Sequence, residues 1–359
     1  MVGIIYIGNI NRCPYLKYYT NCMEKKGIEY EIIYWDRSLK IKDGSRKTNE
    51  SNLHIFNLAS KEQRKPYKKI IDFYRFSKFV RGIVKQQNYD KLIILTTMTG
   101  IVLFPELLGK YKKKYIFDYR DASYEYIKPF YMILSKIIHN SYFTSISSKG
   151  FLNILPKDEN YILAHNITNY KTNKERERLQ KDKYRIGYIG GLRSSVYMKK
   201  LVDIFAEDPR FEFVVHGGGN NLQELREYSK GFSNVSFTGF YSETEKEFLL
   251  KEIDIICYNY PESFNHNIAL ANKYYDGLIE GIPLLGNIKT YSGKLIESNS
   301  IGISLDFNDL NYKEKLYNYI KNIDYKIFDK NCKTLLDEIK LDVNLYVRKI
   351  EEFLMCPMG

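Results

Sequence analysis

No stretch of the sequence approaches 18 consecutive apolar residues, so no membrane-spanning helix is expected. Cysteine is scarce. The five (Cys13, Cys22, Cys257, Cys332, Cys356) are odd in number, scattered and never spaced as CxxC. That argues against a disulfide framework or a zinc cluster and suggests a reducing, cytoplasmic setting. The N-terminal MVGIIYIGNINR has no basic region ahead of its short apolar run and reads as a first strand rather than a signal peptide. Missing motifs narrow the chemistry. Without GxxxxGK[ST] a P-loop nucleotide hydrolase is disfavoured; without GxGxxG after the first strand, a dinucleotide oxidoreductase is too. Without GxSxG a serine hydrolase of that type is unsupported. Neither an Asp-x-Asp pair nor a His/Asp cluster at ligand spacing occurs, so no metal and no cofactor are expected.

What is present is an ordinary globular balance, 44% hydrophobic and 27% charged, over 359 residues, enough for two domains. The net charge of +12 is unevenly placed: residues 1–168 hold 28 Lys and Arg against 15 Asp and Glu, whereas residues 169–359 hold 27 against 28. The densest runs are KEQRKPYKK from Lys61 and KYKKK from Lys110. Such asymmetry suggests an anionic surface as partner, and an acidic membrane fits better than nucleic acid, for which no recognised motif is present.

Apolar runs and breakers alternate along the chain. VGIIYIG (Val2–Gly8), a helix from Arg12 to Lys26 stopped at Gly27, and EYEIIYW (Glu29–Trp35) form a strand–helix–strand unit and imply a parallel sheet. Residues 66–87 read as a long helix with apolar and aromatic positions at helical spacing and basic residues between them, suited either to core packing or to an anionic bilayer. KLIILT and YIFDY follow as buried strands, the second running into Arg120 and Asp121. Open parallel sheets bind ligands beyond the carboxyl ends of their strands. Gly8 and Asn9, ending the first strand, and Asp118, Arg120 and Asp121 are therefore candidates on that side; an ion pair tying two loops together is the plainer reading of the last three. Residues 1–167 make a basic first domain, the polar 168–183 a linker, 184–342 a second domain in which the strand–helix rhythm restarts, and 343–359 a final helix that could pack back on the first.

In the second half the expected strand RIGYI ends in Gly190-Gly191-Leu192-Arg193, FEFVVH ends in three glycines, and DIICY precedes the stretch Asn265–Asn287, NHNIALANKYYDGLIEGIPLLGN. That stretch predicts a loop, a helix from about Ala269 to Glu280, a Gly-Ile-Pro stop and a buried strand. Lys273, Asp276 and Glu280 recur at i, i+3, i+7 on one helix face, and the first two lie near the positive end of its dipole. A cation and a carboxylate there suit a nucleotide diphosphate; an exposed ion pair is the alternative.

The order YIGGLR, HGGG, NVSFTGFY, DIICY, NKYYDGLIEGIPLL over roughly residues 185–306 resembles the donor-binding half of retaining glycosyltransferases of family 4, which build bacterial capsule, exopolysaccharide and lipopolysaccharide. The resemblance implies an α/β chain of GT-B architecture, with two Rossmann-like domains whose parallel sheets face a central cleft. It implies that Arg193 and Lys273 clamp and stabilise the departing diphosphate, that Gly190 and Gly191 form the loop beside it, and that Asp276 binds the ribose. Asn272, Asn267 and His266 join the donor side; Asp121 is the candidate for acceptor contact or proton relay. Two departures stand out. Asp276 replaces the usual Glu, and Ile268 stands where a second, sugar-binding acid is common, leaving Glu262, Asn265, His266 or Asn267 for that role. The expected partners are a UDP- or GDP-sugar donor, a lipid-linked or oligosaccharide acceptor and the inner face of the cytoplasmic membrane. A sugar-nucleotide epimerase of the same fold, or a two-domain binding protein without catalysis, would be the alternatives.

Overall fold

The computed structural model describes residues 1–10, 13–37, 52–58, 66–158, 160–167 and 181–357. The chain forms two compact units, Met1–Thr168 together with Leu341–Gly359, and Asn169–Lys340. Most of the expected linker, Arg12 and the first half of the basic run from Lys61 lie outside the described residues.

The first unit is a parallel sheet in the order β3-β2-β1-β4-β5-β6-β7. Its strands are β1 (Val2–Ile7), β2 (Tyr30–Asp36), β3 (Leu53–Asn57), β4 (Lys91–Leu95), β5 (Tyr115–Tyr119), β6 (Phe143–Ile146) and β7 (Tyr161–Leu163). β1, β4 and β5 are buried at every position, as near-continuous apolar strings must be when helices cover both faces. Helices α1 (Leu16–Lys25), α2 (Pro66–Gln87), α3 (Thr97–Val102), α4 (Phe104–Leu108) and α5 (Lys128–Asn140) connect them. Between β4 and β5 the chain forms two short helices: it breaks at Leu103, ahead of Pro105, which suits a first turn and not an interior. α2 packs part of its apolar stripe into the core and leaves part outside. Phe76, Val80 and Val84 are buried, with Phe76 stacked on Trp35, while Ile70, Ile71 and Tyr74 are exposed.

The second unit is a parallel sheet in the order β10-β9-β8-β11-β12-β13. Its strands are β8 (Tyr184–Ile189), β9 (Phe211–His216), β10 (Val235–Gly239), β11 (Ile255–Cys257), β12 (Leu284–Gly286) and β13 (Gly302–Ser304). Between and after them come α6 (Ser195–Phe205), α7 (Leu222–Ser229), α8 (Glu243–Lys251), α9 (Asn272–Glu280), α10 (Tyr291–Ser298), α11 (Tyr312–Asn322) and α12 (Tyr325–Met355). The final helix expected from residue 343 is the end of α12, which runs unbroken because nothing between Leu336 and Val343 stops a helix. Its last turns belong to the first unit, where Tyr346, Ile350, Phe353 and Leu354 join the core formed by Val2, Ile4 and Tyr19.

Candidate active site

The carboxyl ends of β8, β9 and β10 are laced together through glycine. Gly190 N–H donates to the His216 carbonyl at 2.9 Å, Leu192 N–H to Gly218 at 3.1 Å, and Gly217 N–H to Gly239 at 2.8 Å. Gly190 has φ +131° and Gly217 φ +150°, and a Cβ on Gly217 would lie 1.8 Å from the Gly190 carbonyl oxygen. These two positions therefore require glycine. Gly191 does not: a Cβ there would meet open space.

α9 begins at Asn272, not near Ala269 as expected. Ala271 lies in extended backbone and donates its N–H to the Tyr258 hydroxyl at 2.6 Å, which fixes the entry to the helix. Asn272, exposed, and Lys273 thus occupy the first turn, and the helix stops at Gly281 in the left-handed conformation. The expected exposed pair between Lys273 and Asp276 is absent. Lys273 is only 4% exposed, and its Nζ has no hydrogen-bond partner among the described residues. The ammonium lies over the Tyr188 ring, 3.1 Å from its centroid, and 4.7 Å from that of Tyr260. Burial pushes its pKa down to about 7. Asp276 turns the other way, to Lys246 Nζ at 2.8 Å. Burial still raises its carboxyl above the ordinary range, against the pull of Lys246. Lys246 is held in the first turns of α8 by a capping box: Ser242 Oγ accepts from Glu245 N–H, and the Glu245 carboxylate accepts from Ser242 N–H.

Arg193 is exposed. It acts with Lys273 on the His266 ring, whose pKa is lowered by burial first and then by both cations. Both cations thus lie within electrostatic reach of that ring. His266 is stacked on Tyr260 at 4.5 Å, and its Nδ1 lies 2.8 Å from the Pro261 carbonyl. In the neutral ring Nδ1 carries the donating proton, which leaves Nε2 as an acceptor. Asn267 keeps a buried Oδ1 with no partner among the described residues. Ile268 is buried, so the position left without an acid points into the interior, while Glu262 and Asn265 are exposed.

In the first unit the expectation for Asp118 is overturned. It is fully buried and gripped by Arg120, with Nε to Oδ1 at 2.6 Å and Nη2 to Oδ2 at 3.1 Å; Tyr19 hydroxyl donates to Oδ2 at 2.9 Å. Arg120 also donates to Ala164 carbonyl and Asn166 Oδ1, at 2.7 and 2.8 Å, so the pair ties β5 to the segment after β7. This is the plainer of the two sequence readings. Its charges are spent internally, although Arg120 still touches a cavity of about 360 Å³ beyond the carboxyl ends of the strands. Asp121 lines that cavity, with Tyr6, Arg37, Phe73, Thr96 and Asn166 among the other walls. Gly8 and Asn9 do not line it; the end of β1 contributes Tyr6 and Ile7 instead. Thr96, ending β4, has φ +76°, a conformation costly for a β-branched residue and typical of sites that must hold a fixed geometry.

Comparison with protein-family models finds no match. Among curated proteins, the O-antigen biosynthesis glycosyltransferase WbnH of Escherichia coli is 22% identical over 267 residues, covering 71% of this chain and 75% of the relative. Among solved structures, the lipopolysaccharide outer core galactosyltransferase WaaB in its apo form superposes with a TM-score of 0.64 at 13% identity, covering 98% of this chain and 99% of WaaB. Sucrose-phosphate synthase of Thermosynechococcus elongatus gives 0.67 at 13% identity, over 97% and 99% of the two chains. The chain has the GT-B fold, and the proteins it resembles are glycosyltransferases.

Sequence reasoning named Gly190, Arg193, Lys273 and Asp276 but missed their closest partners. Tyr188 lies inside a strand and Lys246 is 30 positions from Asp276, so no local spacing could reveal either. Tyr260, in the loop after β11, carried a weak signal as one of several aromatics around DIICYNY. Among the described residues no group of three or more His, Cys, Asp or Glu side chains is placed to hold a metal ion.

Proposed function

We propose that this protein is a glycosyltransferase that moves a sugar, with retention of configuration and without a metal ion, from a UDP- or GDP-sugar to a lipid-linked glycan in surface polysaccharide synthesis. The observation that carries the reading is the Lys273 ammonium: buried, without a hydrogen-bond acceptor, beside the Gly190 loop and sharing its field with Arg193. Such a cation lacks the anion it is built for, and a departing diphosphate supplies one. Lys273, Arg193 and the first N–H groups of α9 would stabilise that charge where a metal does so in other transferases. Asp276 has a second carboxylate oxygen for a ribose hydroxyl; His266 Nε2 and Asn267 Oδ1 would take the sugar. Asp121, in the cavity of the first unit, would meet the acceptor. Retention rests on the family resemblance of residues 185–306, and the O-antigen setting on the E. coli relative.

The test is turnover of a panel of UDP- and GDP-sugars, with and without acceptor. Lys273→Gln and Asp276→Ala should each lower kcat/KM by about 100-fold or more. If no sugar nucleotide is bound or consumed, and Asp276→Ala changes nothing, the reading is wrong. Conversion of the donor to its epimer without acceptor would identify an epimerase instead.

A further inference from the structure

A buried ammonium without a hydrogen-bond acceptor needs something else to hold it. Around Lys273 two rings are placed to do so, Tyr188 and, at 4.7 Å, Tyr260. The face of Tyr188 lies 3.1 Å from Nζ, closer than any other ring. The hydroxyl of the same residue donates to the Gly191 carbonyl at 3.0 Å. The neighbouring Tyr260 hydroxyl acts on the ionisation of Tyr188, whose pKa burial pushes up. Tyr188 therefore touches the lysine with its ring and the glycine loop with its hydroxyl.

We propose that Tyr188 is a positioning residue for the donor diphosphate. Its ring holds the Lys273 ammonium until a phosphate takes it over, and its hydroxyl sets the Gly190–Gly191 loop against which that phosphate lies. This inference rests on the donor-site reading above and adds to it a residue that neither the sequence pattern nor the comparisons mark.

The groups facing Lys273 do not supply a full counter-charge. Cys257 of β11 is a thiol whose pKa is pushed up to about 11 by burial. His266 is held neutral near pH 7 by a lowered pKa, Tyr260 is un-ionised, and Arg193 adds like charge. Asp276, on the same helix, is engaged by Lys246. A cation–π contact favours the charged lysine but does not satisfy its N–H donors. Transfer to a phosphate does both, so nucleotide binding should draw a proton onto Lys273 above neutral pH. At about pH 8 the terminal phosphate of a nucleoside diphosphate is already ionised, its second pKa being about 6, so proton uptake there reports the lysine.

The experiment is calorimetric titration of UDP and of GDP into the full chain at about pH 8, in buffers of different ionisation enthalpy. The wild type should take up close to about one proton per nucleotide bound. Tyr188→Phe keeps the ring and should keep the uptake, with affinity loosened a few-fold through the loop. Tyr188→Leu should bind about 10-fold or more weakly at that pH, with its affinity profile displaced to lower pH. Lys273→Gln should take up no proton. Each variant is checked for native fold by circular dichroism, and a folded Tyr188→Phe protein that binds as weakly as Tyr188→Leu overturns the inference. So does a Tyr188→Leu protein that matches Tyr188→Phe in affinity and pH profile. If the wild type binds neither nucleotide, the donor reading itself fails and this inference falls with it, which distinguishes the two failures.

Discussion

A buried ammonium without hydrogen-bond partners raises the free energy of the folded state, and Lys273 is in that condition. Its pKa near 7 lies far below that of a lysine in an unfolded chain, about 10.4. Between those values the unfolded chain binds the proton more tightly, so the residue's penalty is largest below about pH 7 and fades as pH rises toward about 10.4. Lys273→Met should therefore stabilise the protein, by about 1–3 kcal/mol at neutral pH, while abolishing nucleotide binding. Urea denaturation at about pH 7 and about pH 9 measures it; the gain should shrink at the higher pH. A destabilised Lys273→Met would mean that the ammonium has a partner. This trade of stability against binding is what a purely structural lysine would not show. It also explains why residue spacing misled: Lys273 and Asp276 share a helix face, yet each is drawn to a different neighbour, the Tyr188 ring and Lys246.

At the scale of elements, the strands were readable because parallel strands covered on both faces must be largely apolar: VGIIYI is so throughout, and KLIIL and FEFVVH are broken only by Lys91, Glu212 and His216. The Gly281 stop of α9 was readable from the Gly-Ile-Pro sequence. Its start was not. Ala269, Leu270 and Ala271 suit a helix by composition, and only the hydrogen bond from Ala271 N–H to Tyr258, 13 positions away, shows why it begins later. The end of α12 depends on a similar long-range contact. Lys91 Nζ donates to the carbonyls of Phe353, Leu354 and Cys356 at 2.6, 2.9 and 2.8 Å, so a lysine from β4 caps a helix more than 260 positions away. Helix ends carry unsatisfied carbonyls and partial negative charge, and a cation there answers both. Lys91→Met should cost about 1–3 kcal/mol and speed amide exchange in the last turn of α12, with α9 unaffected. Unchanged exchange at residues 350–356 would show that hydrophobic packing of Tyr346, Ile350 and Phe353 alone holds the helix end.

At the scale of the whole molecule, charge and apolar exposure coincide in one unit. The first unit, with its C-terminal segment, carries 30 Lys and Arg against 18 Asp and Glu; the second is neutral at 25 against 25. No described helix is long and apolar enough to cross a membrane. The exposed face of α2 interleaves Ile70, Ile71 and Tyr74 with Lys68, Arg75 and Lys78, the pattern of a helix that lies on a bilayer rather than in it. Phe73, within the same run, lines the cavity that also holds Asp121 and Ser123. Under the proposed function, a lipid-linked acceptor would reach that cavity from a membrane surface met by α2. The protein should cosediment with vesicles rich in phosphatidylglycerol, release at high salt and ignore pure phosphatidylcholine. Each basic residue near such a surface contributes about 1 kcal/mol, so reversing Lys68, Arg75 and Lys78 to Glu should weaken vesicle binding by about 100-fold or more. Turnover of a short water-soluble acceptor should be unchanged, since none of the three lines the cavity. Vesicle binding that survives the triple reversal would move the contact away from α2, and equal binding to neutral vesicles would remove the electrostatic argument altogether.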